Sequence, residues 1–260
     1  MKEDNVTRAY ASINGINMYY EVYGNGRPLV LIHGGGSTIQ TCFENIIPLL
    51  AKHRQVIAMD LQAHGRTGDR PVSLSFTQDA DDVAALLAFL QVDTADFLGF
   101  SNGGQTLFEL ALRHPGIVYK MIIASAFYKR EAVPAMFWEG FNNATLEMMP
   151  PPLKTGFLNV RNDISAFENM FYKDVERMKN FTGWPDDVIG SINKPVLIIN
   201  GTHDVASVEH AVEMYRKIPG AELVILPCNH GNYLGTVESL ENGTWHHSYT
   251  AQIIDQFLDD

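Results

Sequence analysis

Phe97-Leu98-Gly99-Phe100-Ser101-Asn102-Gly103-Gly104 joins an apolar run to a stretch of helical spacing through one serine flanked by glycines. The pattern is G-x-S-x-G, read from Gly99 to Gly103. A serine on so tight a strand-to-helix turn is forced toward positive φ, so the residues two places before and after it must lack bulky side chains. Gly99 and Gly103 meet that demand. The turn lifts the hydroxyl above the strand end and aims the first N–H groups of the following helix at whatever binds there. Glycine-serine turns are common, and the flanking chain decides what this one means.

Working outward, short continuous apolar runs recur at Pro28–Ile32, Gln55–Met59, Ala95–Phe100, Val118–Ala126, Lys194–Ile199 and Glu222–Leu226. Runs of this kind are strands buried on both faces of a parallel sheet. Helical spacing lies between and after them, at Phe43–Lys52, Asp79–Leu90 with Phe76-Thr77 as its entry, Gly104–Arg113, Val208–Lys217 and His247–Leu258. The alternation predicts an α/β fold. Ahead of it, Arg8–Tyr23 reads as an antiparallel hairpin turned at Asn14-Gly15, and Asn25-Gly26 marks a second turn.

The rhythm breaks once. From Phe127 to Ser191 there is no strand-like run, there is a Pro150-Pro151-Pro152 break, and there are many soft side chains such as Phe137, Trp138, Phe141, Met149, Phe171 and Met178. Most of these must form the core of a small helical insert. If the insert sits above the serine, some of them line an adaptable apolar pocket. The expected organisation is a core of residues 1–126 and 192–260 with a helical lid at 127–191.

The 260 residues carry 19 Lys and Arg against 30 Asp and Glu, a net charge of −11. This argues against a nucleic-acid or anionic-membrane surface. The two cysteines, Cys42 and Cys228, are far apart and imply neither a disulfide framework nor a zinc site. Met1-Lys2-Glu3-Asp4-Asn5 is followed by no apolar signal region, and no run of about 18 apolar residues occurs. A cytoplasmic protein, monomeric or homodimeric, is expected, with the alternative that a signal peptide was trimmed. The N-x-[ST] matches at Asn5, Asn143, Asn180 and Asn242 leave that alternative undecided. With no metal cluster, dinucleotide fingerprint or P-loop, no cofactor is expected.

Hydrolysis of an ester at neutral pH needs a hydroxyl, a base that activates it, a group that orients the base, and N–H donors for the oxyanion. Ser101 follows a central strand, Asp204 the penultimate strand and His230 the last, so all three lie at the sheet edge where open α/β sheets place their sites. The order Ser, Asp, His goes with an elbow serine. His33, His203, His210, His246 and His247 are rivals for the base, but none follows the last strand. His33-Gly34-Gly35-Gly36 ends a buried strand, and its glycines let backbone approach a ligand. The N–H of Asn102 and that of Gly35 or Gly36 are the candidate oxyanion donors. Gly34, Gly36, Phe127 and Trp138 are candidates for contact with a small-molecule, ester-like substrate. Asp60 and His64, at another strand end, are read as turn and salt-bridge residues in preference to catalytic ones.

These four motifs, His33-Gly34-Gly35-Gly36, Gly99–Gly103, Gly201-Thr202-His203-Asp204 and Asn229-His230-Gly231, make the chain resemble the α/β-hydrolase-fold superfamily over nearly its whole length. Asp60-Leu61-Gln62-Ala63-His64-Gly65-Arg66-Thr67 further resembles the D-x-x-G-H-G-x-[ST] loop of the lid-bearing carboxylesterases, lactonases and carbon–carbon-bond hydrolases, with Ala63 where glycine is usual. The resemblance implies a mostly parallel eight-stranded sheet with helices on both faces and a lid where the insert lies. Asn102, standing where many relatives have Met, Gln or His, and Asn229 before His230 depart from the pattern. A serine rather than an aspartate at the elbow excludes the alkyl-enzyme route of dehalogenases and epoxide hydrolases. The leading expectation is hydrolysis of a small, largely apolar carboxylic ester. Carbon–carbon-bond hydrolase, lactonase, perhydrolase and triad-retaining receptor are the alternatives.

Overall fold

The computed structural model describes residues 6–242 and 247–260. The readings placed on Met1–Asn5 and on His246 therefore lie outside the described residues. In chain order the core begins with β1 (Thr7–Ile13), β2 (Ile16–Tyr23), β3 (Pro28–Ile32), α1 (Ile39–Phe43), α2 (Ile47–Leu50) and β4 (Gln55–Met59). It continues with α3 (Phe76–Phe89), β5 (Ala95–Phe100), α4 (Asn102–Arg113) and β6 (Val118–Ala124). Four helices follow without a strand: α5 (Ala135–Asn142), α6 (Pro151–Val160), α7 (Ile164–Lys179) and α8 (Asp186–Gly190). The core resumes as β7 (Val196–His203), α9 (Val208–Lys217), β8 (Glu222–Asn229) and α10 (His247–Asp259).

The eight strands form one sheet in the order β1-β2-β4-β3-β5-β6-β7-β8. β1 pairs with β2 and β2 with β4 antiparallel; the remaining neighbours are parallel. The entry hairpin turns on Asn14 at φ 44° and Gly15 at φ 87°, the left-handed pair that a twisted two-residue turn needs. Alternate residues of each central strand face opposite sides. Val30, Ile57, Phe97, Ile123 and Ile198 pack in one core with α3, α4 and α9. Leu31, Ala58, Leu98, Ile122 and Ile199 pack in the other with α1, α2 and α10. Each such fully buried aliphatic side chain contributes about 1.5–3 kcal/mol, which is why the runs are apolar at every position instead of alternating.

Several boundaries differ from the sequence expectations. The helix expected over Phe43–Lys52 is two short ones, because Thr38 caps an earlier start at Ile39 and Pro48 opens a separate turn. Ser75, whose side chain accepts from the Gln78 N–H, starts α3 at Phe76, ahead of Asp79. β7 and β8 outrun the apolar windows because their ladder continues through Gly201↔Leu226 and His203↔Asn229. That extension matters, since Asp204 and His230 each come one residue after the paired ends. Among the described residues no helix is long and apolar enough to cross a membrane, and no group of His, Cys, Asp or Glu could hold a metal. Cys42 and Cys228 are free and buried.

Candidate active site

Ser101 sits between β5 and α4 at φ 53°, ψ −122°, a strained region for a residue with a Cβ. Packing shows why glycines flank it. A Cβ on Gly99 would lie 2.3 Å from the Gly103 carbonyl oxygen, and one on Gly103 would lie 2.0 Å from the Ile32 carbonyl oxygen. The turn can therefore be this tight only with hydrogen at both positions. The Ser101 N–H donates to the Ala124 carbonyl at 2.9 Å, which ties the elbow to the neighbouring strand.

The described structure brings His230 and Asp204 together. His230 Nδ1 and Asp204 Oδ1 are 2.5 Å apart, and Phe100 packs against the imidazole with ring centroids 4.7 Å apart. Oδ1 also accepts from the Val205 N–H at 2.7 Å; Oδ2 accepts from the Gly201 N–H at 2.9 Å and from Ser125 Oγ at 2.5 Å. Burial alone would raise the Asp204 carboxyl, but His230 and these donors reverse the effect and hold it below the usual carboxylate range. The same pairing overcomes burial at His230 and raises that imidazole above the ordinary histidine value. Because Ser125 spends its proton on Asp204, the 2.6 Å contact with the Tyr233 hydroxyl is one in which tyrosine donates.

Ser101 and His230 line the same cavity of about 210 Å³, and among the described residues the Ser101 hydroxyl has no hydrogen-bond partner, His230 included. Gly35, Gly36 and Asn102 line it as well. A Cβ on Gly35 would lie 2.6 Å from Asn102 Nδ2, so the two candidate oxyanion residues are in contact across the elbow. The N–H groups of Gly35 and Asn102 make no hydrogen bond among the described residues. The Gly36 N–H, by contrast, is bound by Asp174 Oδ2 at 2.6 Å, which favours Gly35 of the two glycines as donor to a ligand.

The remaining lining comes largely from the helical segment: Phe137, Phe141, Met149, Phe171 and Met178 join Phe127 around the cavity. Trp138 does not. It is 8% exposed and stacks on Phe181 with centroids 5.8 Å apart, and its indole N–H donates to the Arg130 carbonyl, so it corrects the expectation of a substrate contact. On α5 the residue before it, Phe137, faces the cavity instead. Gly34 also stands outside the lining. A Cβ there would meet Ser101 Cβ at 3.1 Å, so its task is to let the loop pass behind the serine.

Among the rival histidines, His33 donates Nδ1–H to the Gly34 carbonyl and accepts the Leu61 N–H at Nε2, with burial pushing it down to about 3. His210 is likewise lowered by burial, to about 4. Asp60 caps its loop, accepting from the Ile39 and Arg66 N–H groups, and His64 is engaged by Gln62 and Asp174. Ser125 and Asp174 carry no motif and were missed in the sequence; Ser125 at φ 50° is recognisable only once β6 is seen beside β7.

A model of the alpha/beta hydrolase fold matches residues 27–147. The chain is 27% identical over 237 residues to the serine hydrolase BPHL of Homo sapiens, covering 85% of this chain and 79% of that protein. It is 24% identical to 2-hydroxy-6-oxo-6-(2'-aminophenyl)hexa-2,4-dienoic acid hydrolase of Metapseudomonas resinovorans, over 90% of this chain and 88% of that one. The solved enol-lactonase of Burkholderia xenovorans LB400 superposes with a TM-score of 0.74 over 96% of this chain and 100% of the other, at 22% identity. With a mostly parallel eight-stranded sheet, an elbow serine and a match to the family model, the chain has the α/β-hydrolase fold; its relatives are hydrolases, and it is an enzyme.

Proposed function

We propose that this enzyme hydrolyses small, largely apolar carboxylic esters through an acyl-enzyme on Ser101. The observation that carries the reading is a strained serine and a histidine lining one small apolar cavity, with that histidine held at Nδ1 by a carboxylate. His230 Nε2 takes the Ser101 proton as Oγ attacks the ester carbonyl, then returns it to the leaving alcohol. A positioned base of this kind contributes about 10²–10⁴-fold. Asp204 keeps Nδ1 protonated and stabilises the imidazolium. The Gly35 and Asn102 N–H groups receive the oxyanion, each such donor being worth about 10²–10³-fold. Water, activated by the same histidine, then releases the acid. Residues 127–191 act as the lid, since Phe137, Phe141, Met149, Phe171 and Met178 complete the cavity wall.

Carbon–carbon-bond or lactone hydrolysis on the same residues is the second reading, favoured by the likeness to the dienoic acid hydrolase and the enol-lactonase. Incubation with a fluorophosphonate probe followed by peptide mapping tests the nucleophile: the label is expected on Ser101 and absent from Ser101→Ala. A panel of p-nitrophenyl esters of graded acyl length tests the activity. Active protein that is labelled elsewhere, or not at all, overturns the assignment.

A further inference from the structure

Asp174 belongs to no step of the proposed reaction, yet it is the carboxylate in the cavity wall. It stands on α7, and the residue is 8% exposed. Oδ2 accepts from the Gly36 N–H at 2.6 Å and faces His64 Nε2 at 2.9 Å, while Oδ1 is bound by Arg177. Arg177 also reaches the buried Asp79 at 2.7 Å. His64 Nδ1 lies 2.8 Å from the Gln62 carbonyl, which can only accept, so that nitrogen carries a proton. Its Nε2 faces an oxygen already accepting from an amide. With Asp174 ionised, both ring nitrogens donate and His64 is an imidazolium. The burial that opposes ionisation of Asp174 is overcome by Arg177 and His64, and His64 is raised in turn by Asp174.

The four groups balance as two anions and two cations, but they are not arranged evenly about the cavity. Of the four, only the Asp174 carboxylate lines it; Arg177, His64 and Asp79 lie behind. Three of the roughly four lone-pair directions of that carboxylate are occupied, and the fourth is available to a donor. We propose that Asp174 is a specificity-determining residue that makes the wall beside Gly36 electronegative, so that the enzyme takes substrates whose acyl group is uncharged and excludes those ending in a carboxylate. Two like charges about 5 Å apart at an effective dielectric of about 20 repel strongly enough to weaken binding roughly 300-fold, and the cations behind Asp174, farther from the ligand, cut this back to the order of 10-fold. The inference rests on the ester-hydrolase reading and narrows it, because it separates this pocket from that of a dienoic acid hydrolase, whose substrate is by name an acid.

The test uses binding, so that it does not depend on turnover. Calorimetry on Ser101→Ala compares the p-nitroanilides of pentanoic acid and of glutaric acid, the latter carrying a free carboxylate on the same three-methylene chain. The neutral anilide is expected to bind about 10- to 100-fold tighter. In Ser101→Ala/Asp174→Asn that ratio should fall to within about threefold. The charge-balanced Ser101→Ala/Asp174→Asn/Arg177→Gln serves if the lone substitution, which leaves Arg177 facing an amide, does not fold. Equal binding of the two anilides by Ser101→Ala, or a ratio that survives in the folded Asp174→Asn protein, overturns the proposal. Failure of the native enzyme to release p-nitrophenol from its esters strikes instead at the hydrolase reading, and the two failures are read from different experiments.

Discussion

Asp204→Asn is the sharpest perturbation of the site, because the carboxylate accepts four hydrogen bonds and an amide can accept at only one end. If the Asn nitrogen takes the Oδ1 place, it faces His230 Nδ1 and the Val205 N–H. Donation to Nδ1 then forces the imidazole proton onto Nε2, where it can no longer accept from Ser101. If the nitrogen takes the Oδ2 place, it opposes the Gly201 N–H, although Ser125 can turn to accept. Either way one backbone N–H is left against a donor, at a cost of about 1–3 kcal/mol in stability. The loss of the correct tautomer and of the charge is expected to lower kcat about 10⁴-fold, the effect of the same change in a Ser-His-Asp triad, equivalent to about 5.5 kcal/mol of barrier. A pH series separates this from misfolding. Asp204 holds the native imidazole above the ordinary histidine value of 6.5, so the acid limb of kcat/KM lies above pH 6.5. Without the carboxylate, burial acts unopposed by it and the residual activity should show its acid limb at lower pH. Stopped-flow hydrolysis of a p-nitrophenyl ester, with circular dichroism on the same samples, reads both quantities. A folded Asp204→Asn enzyme with near-native kcat, or with an unmoved acid limb, refutes the reasoning.

Four further outcomes follow from the same geometry. Gly103→Ala drives a Cβ to 2.0 Å of the Ile32 carbonyl oxygen and should cost roughly 3 kcal/mol by thermal unfolding, whereas Gly140→Ala on α5 meets nothing within 4 Å and should stabilise by about 0.5–1 kcal/mol. Met149 lines both the cavity at Ser101 and a neighbouring apolar one of about 280 Å³, so Met149→Ala should shift the preferred acyl length upward, each added methylene gaining up to about 0.8 kcal/mol; an unchanged length profile counts against the partition. Because Asp174 raises the folded-state affinity of His64 for a proton, that pair stabilises fully below pH 6.5 and less as pH rises through the raised value. Urea unfolding of native and His64→Gln protein should therefore show a gap that shrinks from pH 5.5 to pH 9, and a gap that widens contradicts the pairing. Ser125→Ala removes one charge-assisted donor from Asp204 and should lower kcat about tenfold with KM little changed; an unaltered kcat would make Ser125 a packing residue only.

The chain alone determined the sheet, the order of its strands along the backbone and the identity of the elbow. Parallel strands buried on both faces must be apolar throughout, and a serine at positive φ must be flanked by residues without a Cβ; both demands act locally and leave marks in consecutive residues. Val208–Lys217, Ala95–Phe100 and Gln55–Met59 were legible to the residue for that reason. The positions of Asp204 and His230 were legible from strand order, but the contact between them was not, because it depends on β7 and β8 pairing four and three residues beyond their apolar runs. Which insert residues face the serine was decided only in three dimensions: Phe137 and Trp138 are chemically similar neighbours, and the helix turns one toward the cavity and the other into the aromatic core. Asp174 shows the limit most plainly. In the sequence it is one acid among 30, set within the apolar stripe of α7 beside Met170, Phe171 and Met178; it acquires meaning because folding buries it against His64, Arg177 and the Gly36 amide, where a charge without such partners would not be tolerated.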